Sequence, residues 1–233
     1  MDFDQAAFWL ALGQIMWINI VLSGDNAVVI ALACRTLPPK QRLWGMVLGS
    51  GVAVVLRIAF TWVVKELMEF AYLKLVGGML LLWIAIKLVV PGESEGDPKV
   101  EAAENLWRAV RIVAIADIIM SLDNVIAIAA AAKGHTMLMI IGLAISIPLI
   151  VAGAALIMEL FNRFPILVWA GAALLGWVAA DIIIEDPALV SWLGEGVVQR
   201  VVYWFAAAGA IFVVGVGYVL LRIKRPAAEV SDV

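Results

Sequence analysis

A chain of 233 residues that is 65% hydrophobic and 15% charged departs far from a soluble domain, in which about a quarter of residues are charged and just under half are apolar. With a mean hydropathy of +1.05 it reads as a polytopic membrane protein that leaves little chain for any soluble domain. A single cysteine, Cys34, and a single histidine, His135, exclude an intramolecular disulfide and a Cys/His cluster for zinc or copper, while the net charge of −3 says less than its distribution.

A membrane span needs about 20 mainly apolar residues. Seven such stretches follow one another, at approximately 8–34, 43–64, 70–90, 108–132, 136–158, 166–184 and 202–222. Ahead of the first, Met1 to Ala7 carries Asp2 and Asp4 without a basic residue. The apolar stretch behind it is too long for a signal peptide, so the first segment is expected to stay as a helix.

Span one contains Ser23-Gly24-Asp25-Asn26 inside its apolar run. A carboxylate near the middle of a span costs roughly 2.5–3.5 kcal/mol on insertion scales and needs a compensating partner; Gly24 points to a break in this helix. Span two holds Arg57, read either as the partner of an aspartate in the resting site or as a snorkelling residue or member of a structural ion pair. Its Gly45 and Gly49 have the spacing that allows close helix packing. Span three ends near Lys87. Residues 91–107, with Pro91, Gly92, Gly96, Pro98 and five acidic residues, read as a flexible cytoplasmic linker. Span four repeats the motif as Ser121-Leu122-Asp123-Asn124, with Asp117 ahead of it. In span six, Asp181 is either a ligand or proton carrier, or a residue near the outer helix end beside Glu185 and Asp186. His135 falls in an outer loop beside Lys133 and is expected to be solvated. The ten tryptophans mostly lie toward span ends, as an aromatic belt does.

Displacing the chain by 98 residues aligns Asn19-Ile20-Val21-Leu22-Ser23-Gly24-Asp25-Asn26 with Asp117-Ile118-Ile119-Met120-Ser121-Leu122-Asp123-Asn124. With an offset of 93, Gly49 falls on Gly142, Glu66-Leu67 on Glu159-Leu160 and Gly78 on Gly171. The expected fold is therefore all-α: seven transmembrane helices, as two three-helix repeats plus a C-terminal helix. Residues 1–90 form the first repeat, 91–107 the linker, 108–186 the second repeat, and 187–233 the C-terminal loop, seventh helix and basic tail. Three spans per repeat require the second copy to enter the membrane from the opposite side, so the repeats are inverted, an arrangement that places transport sites near the midplane. Glu66 and Glu159 then fall at opposite faces, either marking the two vestibules or standing as interfacial helix ends. Of the 16 Lys and Arg residues, eleven fall on the side of the C-terminus, which the positive-inside bias makes cytoplasmic with the N-terminus outside.

Residues at i, i+4 and i+7 share a helix face, so Asn19, Ser23 and Asn26 form one polar stripe and Asp117, Ser121 and Asn124 another. Asp25 and Asp123 lie well around from these stripes on regular helices, which favours a local distortion, more in span one than in span four, where Leu122 replaces the glycine. Carboxylates, amide carbonyls and hydroxyls are hard oxygen donors that suit Mg²⁺, Ca²⁺ or Mn²⁺. The candidate metal ligands are Asp25, Asn26, Asp123, Asn124, Asp117, Asn19, Ser23, Ser121 and Asp181.

The paired motifs, each at the start of a three-span repeat, resemble the TerC family of integral membrane proteins. The similarity covers nearly the whole chain and is closest to the compact bacterial branch, grouped with the lysine-exporter superfamily. The resemblance implies a bacterial inner-membrane exporter of metal ions, with manganese the usual substrate and metal homeostasis the usual role; some relatives are associated with tellurite resistance. Carried over residue by residue, the family's acidic motif positions land on Asp25, Asn26, Asp123 and Asn124, with Asp117 an addition that its counterpart Asn19 does not match.

The first reading is thus a secondary exporter of a divalent cation, with proton antiport as its coupling, no prosthetic group and possible assembly as a homo-oligomer. No phosphate-binding loop motif is present, which argues against ATP hydrolysis. Three alternatives compete with it: an intramembrane aspartyl hydrolase using two carboxylates, a non-transporting accessory protein of a metal-stress, resistance or secretion complex, and an exporter of a small organic solute. The pattern of Asn/Asp, Ser and Asn looks more like a binding cage than a catalytic dyad, so the chain is not expected to be an enzyme.

Overall fold

The computed structural model describes residues 6–61, 70–90, 98–131 and 136–224. Among them nine helices and no strand follow in chain order: α1 (Ala6–Val21), α2 (Gly24–Cys34), α3 (Pro39–Thr61), α4 (Leu73–Val89), α5 (Pro98–Ala131), α6 (Thr136–Arg163), α7 (Ile166–Ile184), α8 (Pro187–Leu193) and α9 (Glu195–Lys224). Among the described residues, four stretches are long and apolar enough to cross a membrane: Pro39–Phe60, Ile140–Arg163, Ile166–Ile184 and Glu195–Ile223. They overlap the expected spans two, five, six and seven, and coincide with the sixth.

The expected first span is two helices, broken at Leu22 and Ser23, immediately ahead of Gly24. Span four behaves differently. α5 is one 34-residue helix that runs through Ser121-Leu122-Asp123-Asn124 without interruption, because Leu122 supplies the helix propensity that glycine lacks. α5 also begins at Pro98, so residues 98–107 of the expected linker are its first turns. Proline is well placed at a first helical position, and the Lys, Ala and Glu residues behind it are strong helix formers. The rest of that linker, 91–97, lies outside the described residues, as do Glu66 and His135. Part of the expected C-terminal loop is helical too: α8 starts at Pro187 and ends at Gly194, whose φ of 85° stops it, and α9 follows at once.

α2 is the centre of the bundle and touches α3, α5, α6 and α7. Its side chains from Val29 to Cys34 are buried. Around it, α3 packs on α5, α1 on α6, α3 on α6, and α7 lies between α4 and α9. Lipid tails are as apolar as leucine, so these contacts depend on close fit rather than on water exclusion. Glycines provide it. A Cβ on Gly49 of α3 would lie 3.2 Å from Val113 of α5, and one on Gly142 of α6 would lie 2.5 Å from Ile15 of α1. At Gly176 the α7 backbone meets that of α9, with Gly209 O 2.5 Å from the position of a Cβ. Gly45 fits against Leu37 and Cys34, as its spacing from Gly49 suggested. The outside of the bundle is apolar, with Trp204, Ile211 and Ile223 exposed, as suits a surface facing lipid.

Candidate functional site

The site begins at the break in the first expected span. The Leu22 amide makes the last backbone bond of the incoming turn, to Ile18 O at 2.9 Å; Ser23 then leaves the helix at φ −112° and ψ 6°, and the Ala27 amide resumes the pattern by donating to Ser23 O at 3.0 Å. A break inside a bilayer frees backbone groups that must find protein partners. Side chains from the two motifs provide them. The Asn26 amide donates to Asp25 Oδ1 at 2.8 Å, and Asn124 Nδ2 on α5 donates to the carbonyl of Leu22 at 3.3 Å. Asp25 sits in the first turn of α2, where a negative charge meets the positive end of the helix dipole.

One to two turns away, α3 and α5 hold an ion pair. Arg57 Nη2 bonds Asp117 Oδ1, and Arg57 Nε donates to Ser121 Oγ at 3.0 Å. Asp117 and Ser121 are four residues apart and share a face of α5. The group is deeply buried, with Arg57 3% and Asp117 5% exposed. Beside it is a small cavity whose polar lining comes from Asn26, Ser50, Arg57 and Asp117, with Val113 and Ile150 among the apolar wall residues. Among the described residues, Asn26 Oδ1 and Nδ2, Ser50 Oγ and Asp117 Oδ2 are buried without a hydrogen-bond partner. Unsatisfied groups of this kind are costly and uncommon in native structures, and here three helices bring them to one cavity.

Of the residues singled out in the sequence, Asn26, Asp117 and Ser121 therefore come together, with Asn124 and Ser23 at the adjoining helix break. Arg57 is paired with Asp117, which excludes snorkelling and is common to the resting-site partner and the structural ion pair. Asp181 is on α7, whose main partners are α4 and α9, and it does not line the cavity. The side chains of Asn19 and Asp123 lie outside the described residues. No three His, Cys, Asp or Glu side chains among the described residues are grouped to hold a metal; the buried Asp117 charge is met by a guanidinium. Ser50 was missed. It lies seven residues before Arg57, on the same face of α3, so tracing that face back from the arginine inside span two would have found it.

A second buried carboxylate, Asp186, lies between α7 and α8, outside the spans, and is 0% exposed. Its Oδ1 accepts from the amides of Ala188 at 2.8 Å and Tyr72 at 3.0 Å, and its Oδ2 accepts from that of Leu75 at 3.0 Å. It thus caps α8 and fastens the start of α4, where Tyr72 takes a left-handed φ of 70°. Burial alone would raise its pKa, but the backbone donors outweigh that and hold the carboxyl below its ordinary value. Lys74 and Glu185 form a looser pair beside it, at 3.6 Å.

Comparison with known proteins places the chain in a family. Residues 4–228 match the model of the integral membrane protein TerC family. The chain is 38% identical to the uncharacterized membrane protein YjbE of Bacillus subtilis (strain 168), over 81% of this chain and 85% of the relative. It is 30% identical to the UPF0053 inner membrane protein YgdQ of Escherichia coli (strain K12), over 76% of this chain and 81% of the relative. No solved structure matches. With a family match over almost its whole length and relatives named as membrane proteins, the chain belongs to the integral membrane protein TerC family and sits in a lipid bilayer.

Proposed function

We propose that this protein exports a divalent metal cation, with Mn²⁺ the favoured cargo, across the bacterial cytoplasmic membrane by alternating access at the site between α2, α3 and α5. The observation that carries the proposal is the set of unpartnered buried groups, Asn26 Oδ1, Ser50 Oγ and Asp117 Oδ2, around one cavity beside a helix break. These are hard oxygen donors of the kind that Mn²⁺, Mg²⁺ and Ca²⁺ accept, and broken helices within a bilayer are typical of transporter binding sites. Oxygen chemistry leaves these ions close together, and the resemblance of the paired motifs favours manganese. Asp25 and Asp123 are proposed as ligands that join the set in the cation-loaded state.

The proposal takes α1 and α2 together as one broken span and α3, α4, α5, α6, α7 and α9 as the other six, in two inverted repeats. The packing supports this reading. Exchanging the repeats turns the contact of α3 with α5 into that of α6 with α1, and maps the pairs α2–α5, α3–α6 and α4–α7 onto themselves; all are present. The same shifts of 98 and 93 residues carry Ile15 to Val113 and Gly49 to Gly142, so the close contacts Gly49–Val113 and Gly142–Ile15 are images of one another. The N-terminus is outside and the C-terminus cytoplasmic, protons are the counter-ion, the cation is cargo rather than cofactor, and the chain catalyses no covalent chemistry. Homo-oligomerisation is compatible with this scheme and not needed by it.

The test is cellular manganese content in a host lacking its own exporter and challenged with excess Mn²⁺. Wild type is expected to lower it, while Asp117→Asn, Asp25→Asn and Asp123→Asn, inserted at normal levels, do not. Unchanged content with wild type would reject Mn²⁺ export and move the assignment to another cation or to an accessory role.

A further inference from the structure

We propose that Arg57 is a tethered substitute for the transported cation: it neutralises Asp117 when no metal is bound, so that the metal-free carrier can return across the membrane. The inference deepens the export reading and rests on it. Its first support is the geometry. The guanidinium engages Asp117 Oδ1 and Ser121 Oγ from α3, which leaves Asp117 Oδ2 at the cavity without a partner among the described residues. A divalent cation beside the same carboxylate would stand close to the fixed positive charge of Arg57 and be repelled by it. Cation and guanidinium therefore compete for Asp117.

Its second support is the other half of the chain. Under the two shifts Arg57 corresponds to Ile150, Asp117 to Asn19 and Ser121 to Ser23. Ile150 lines the same cavity as Arg57, so one framework accommodates an arginine at one position and an aliphatic side chain at its counterpart. The charge pair is not something the helix packing demands. A buried ion pair is weak evidence of a contribution to stability, whereas an ionisable group kept within a span marks function. An exporter must bring its metal-free site back, and whatever counter-transported protons ride on the other carboxylates, a bare Asp117 would carry an uncompensated charge through hydrocarbon. Arg57 removes that barrier, and the cation takes its place on Asp117 in the loaded carrier.

The test separates net transport, which needs the empty return, from exchange, which does not. Purified full-length protein in liposomes is given radioactive Mn²⁺, with the far side either free of Mn²⁺ or loaded with unlabelled Mn²⁺. Wild type is expected to support both. Arg57→Gln is expected to lose net flux by about a hundredfold, the factor to which the insertion cost of one unpaired carboxylate converts, while exchange persists. Asp117→Asn is expected to lose both. Equal loss of net flux and exchange in Arg57→Gln, or loss of neither, overturns the proposal. Should Arg57→Gln fail to accumulate as a monodisperse protein, Arg57→Lys decides: retained charge predicts both activities, and loss of both would mean a bracing role and overturn the idea. Wild type that moves no Mn²⁺ in either format rejects the export reading itself, and this proposal with it.

Discussion

Two buried carboxylates in this molecule have opposite surroundings. Asp186 has both oxygens engaged by backbone amides of Ala188, Tyr72 and Leu75, and it lies where the ends of three helices meet. Asp117 has one oxygen on Arg57 and the other unpartnered at a cavity among the described residues. A saturated carboxylate fixes geometry. A half-saturated one beside a cavity retains the capacity to bind something else; the difference makes Asp186 an architectural residue and Asp117 the residue on which the proposed transport depends.

Substitution should separate these roles. Asp117→Asn keeps the shape but removes the charge, and transport is expected to fall by two orders of magnitude or more, about the factor that an unmet cation charge at the bilayer centre implies; unchanged flux in liposomes would place the site elsewhere. Arg57→Ala has the largest expected effect on stability, about 3–5 kcal/mol, because it leaves the Asp117 charge buried and unpaired. The double variant Arg57→Ile, Asp117→Asn, which copies the corresponding residues of the second half, is expected to recover most of that loss without recovering transport. A double variant as unstable as the single one would mean that the pair is a structural requirement. Asp186→Ala leaves three backbone amides without their acceptor and is expected to cost about 1–3 kcal/mol, seen as a lower Tm, with transport per folded molecule unchanged.

The same contrast explains what could be read from the chain itself. Apolar runs located four stretches that are long and apolar enough to cross a membrane, and 166–184 coincides with α7, because a bilayer imposes length and apolarity on a helix whatever packs against it. The Ser-Gly-Asp-Asn motif marked the real break, and Leu122 distinguished the copy that stays helical. Proline and acidic residues in 98–107 suggested a linker, although the same residues suit the first turns of a helix. Asn26, Asp117 and Ser121 were legible because polar residues in an apolar run stand out. Ser50 was not, being a small residue that any span tolerates. The role of Asp186 was hidden for another reason: its partners Tyr72 and Leu75 are 114 and 111 residues away and use only their backbones, so no side chain announces the contact.

The smallest expected effect is also the one that distinguishes the two carboxylates by titration. The Asp186 carboxyl is held below its ordinary value of 3.8 by the amides that point at it. The unfolded chain therefore takes up its proton first as pH falls, and the stabilisation, fully present above that ordinary value, is lost as pH drops through the native one. The Tm difference between wild type and Asp186→Asn is expected to stay constant from roughly pH 7 to pH 5 and to shrink only in more acidic buffer, once wild type protonates. A gap that already narrows near neutral pH would mean that the Asp186 charge is not held by those amides, and would remove the distinction between a saturated and a half-saturated carboxylate on which its structural role depends.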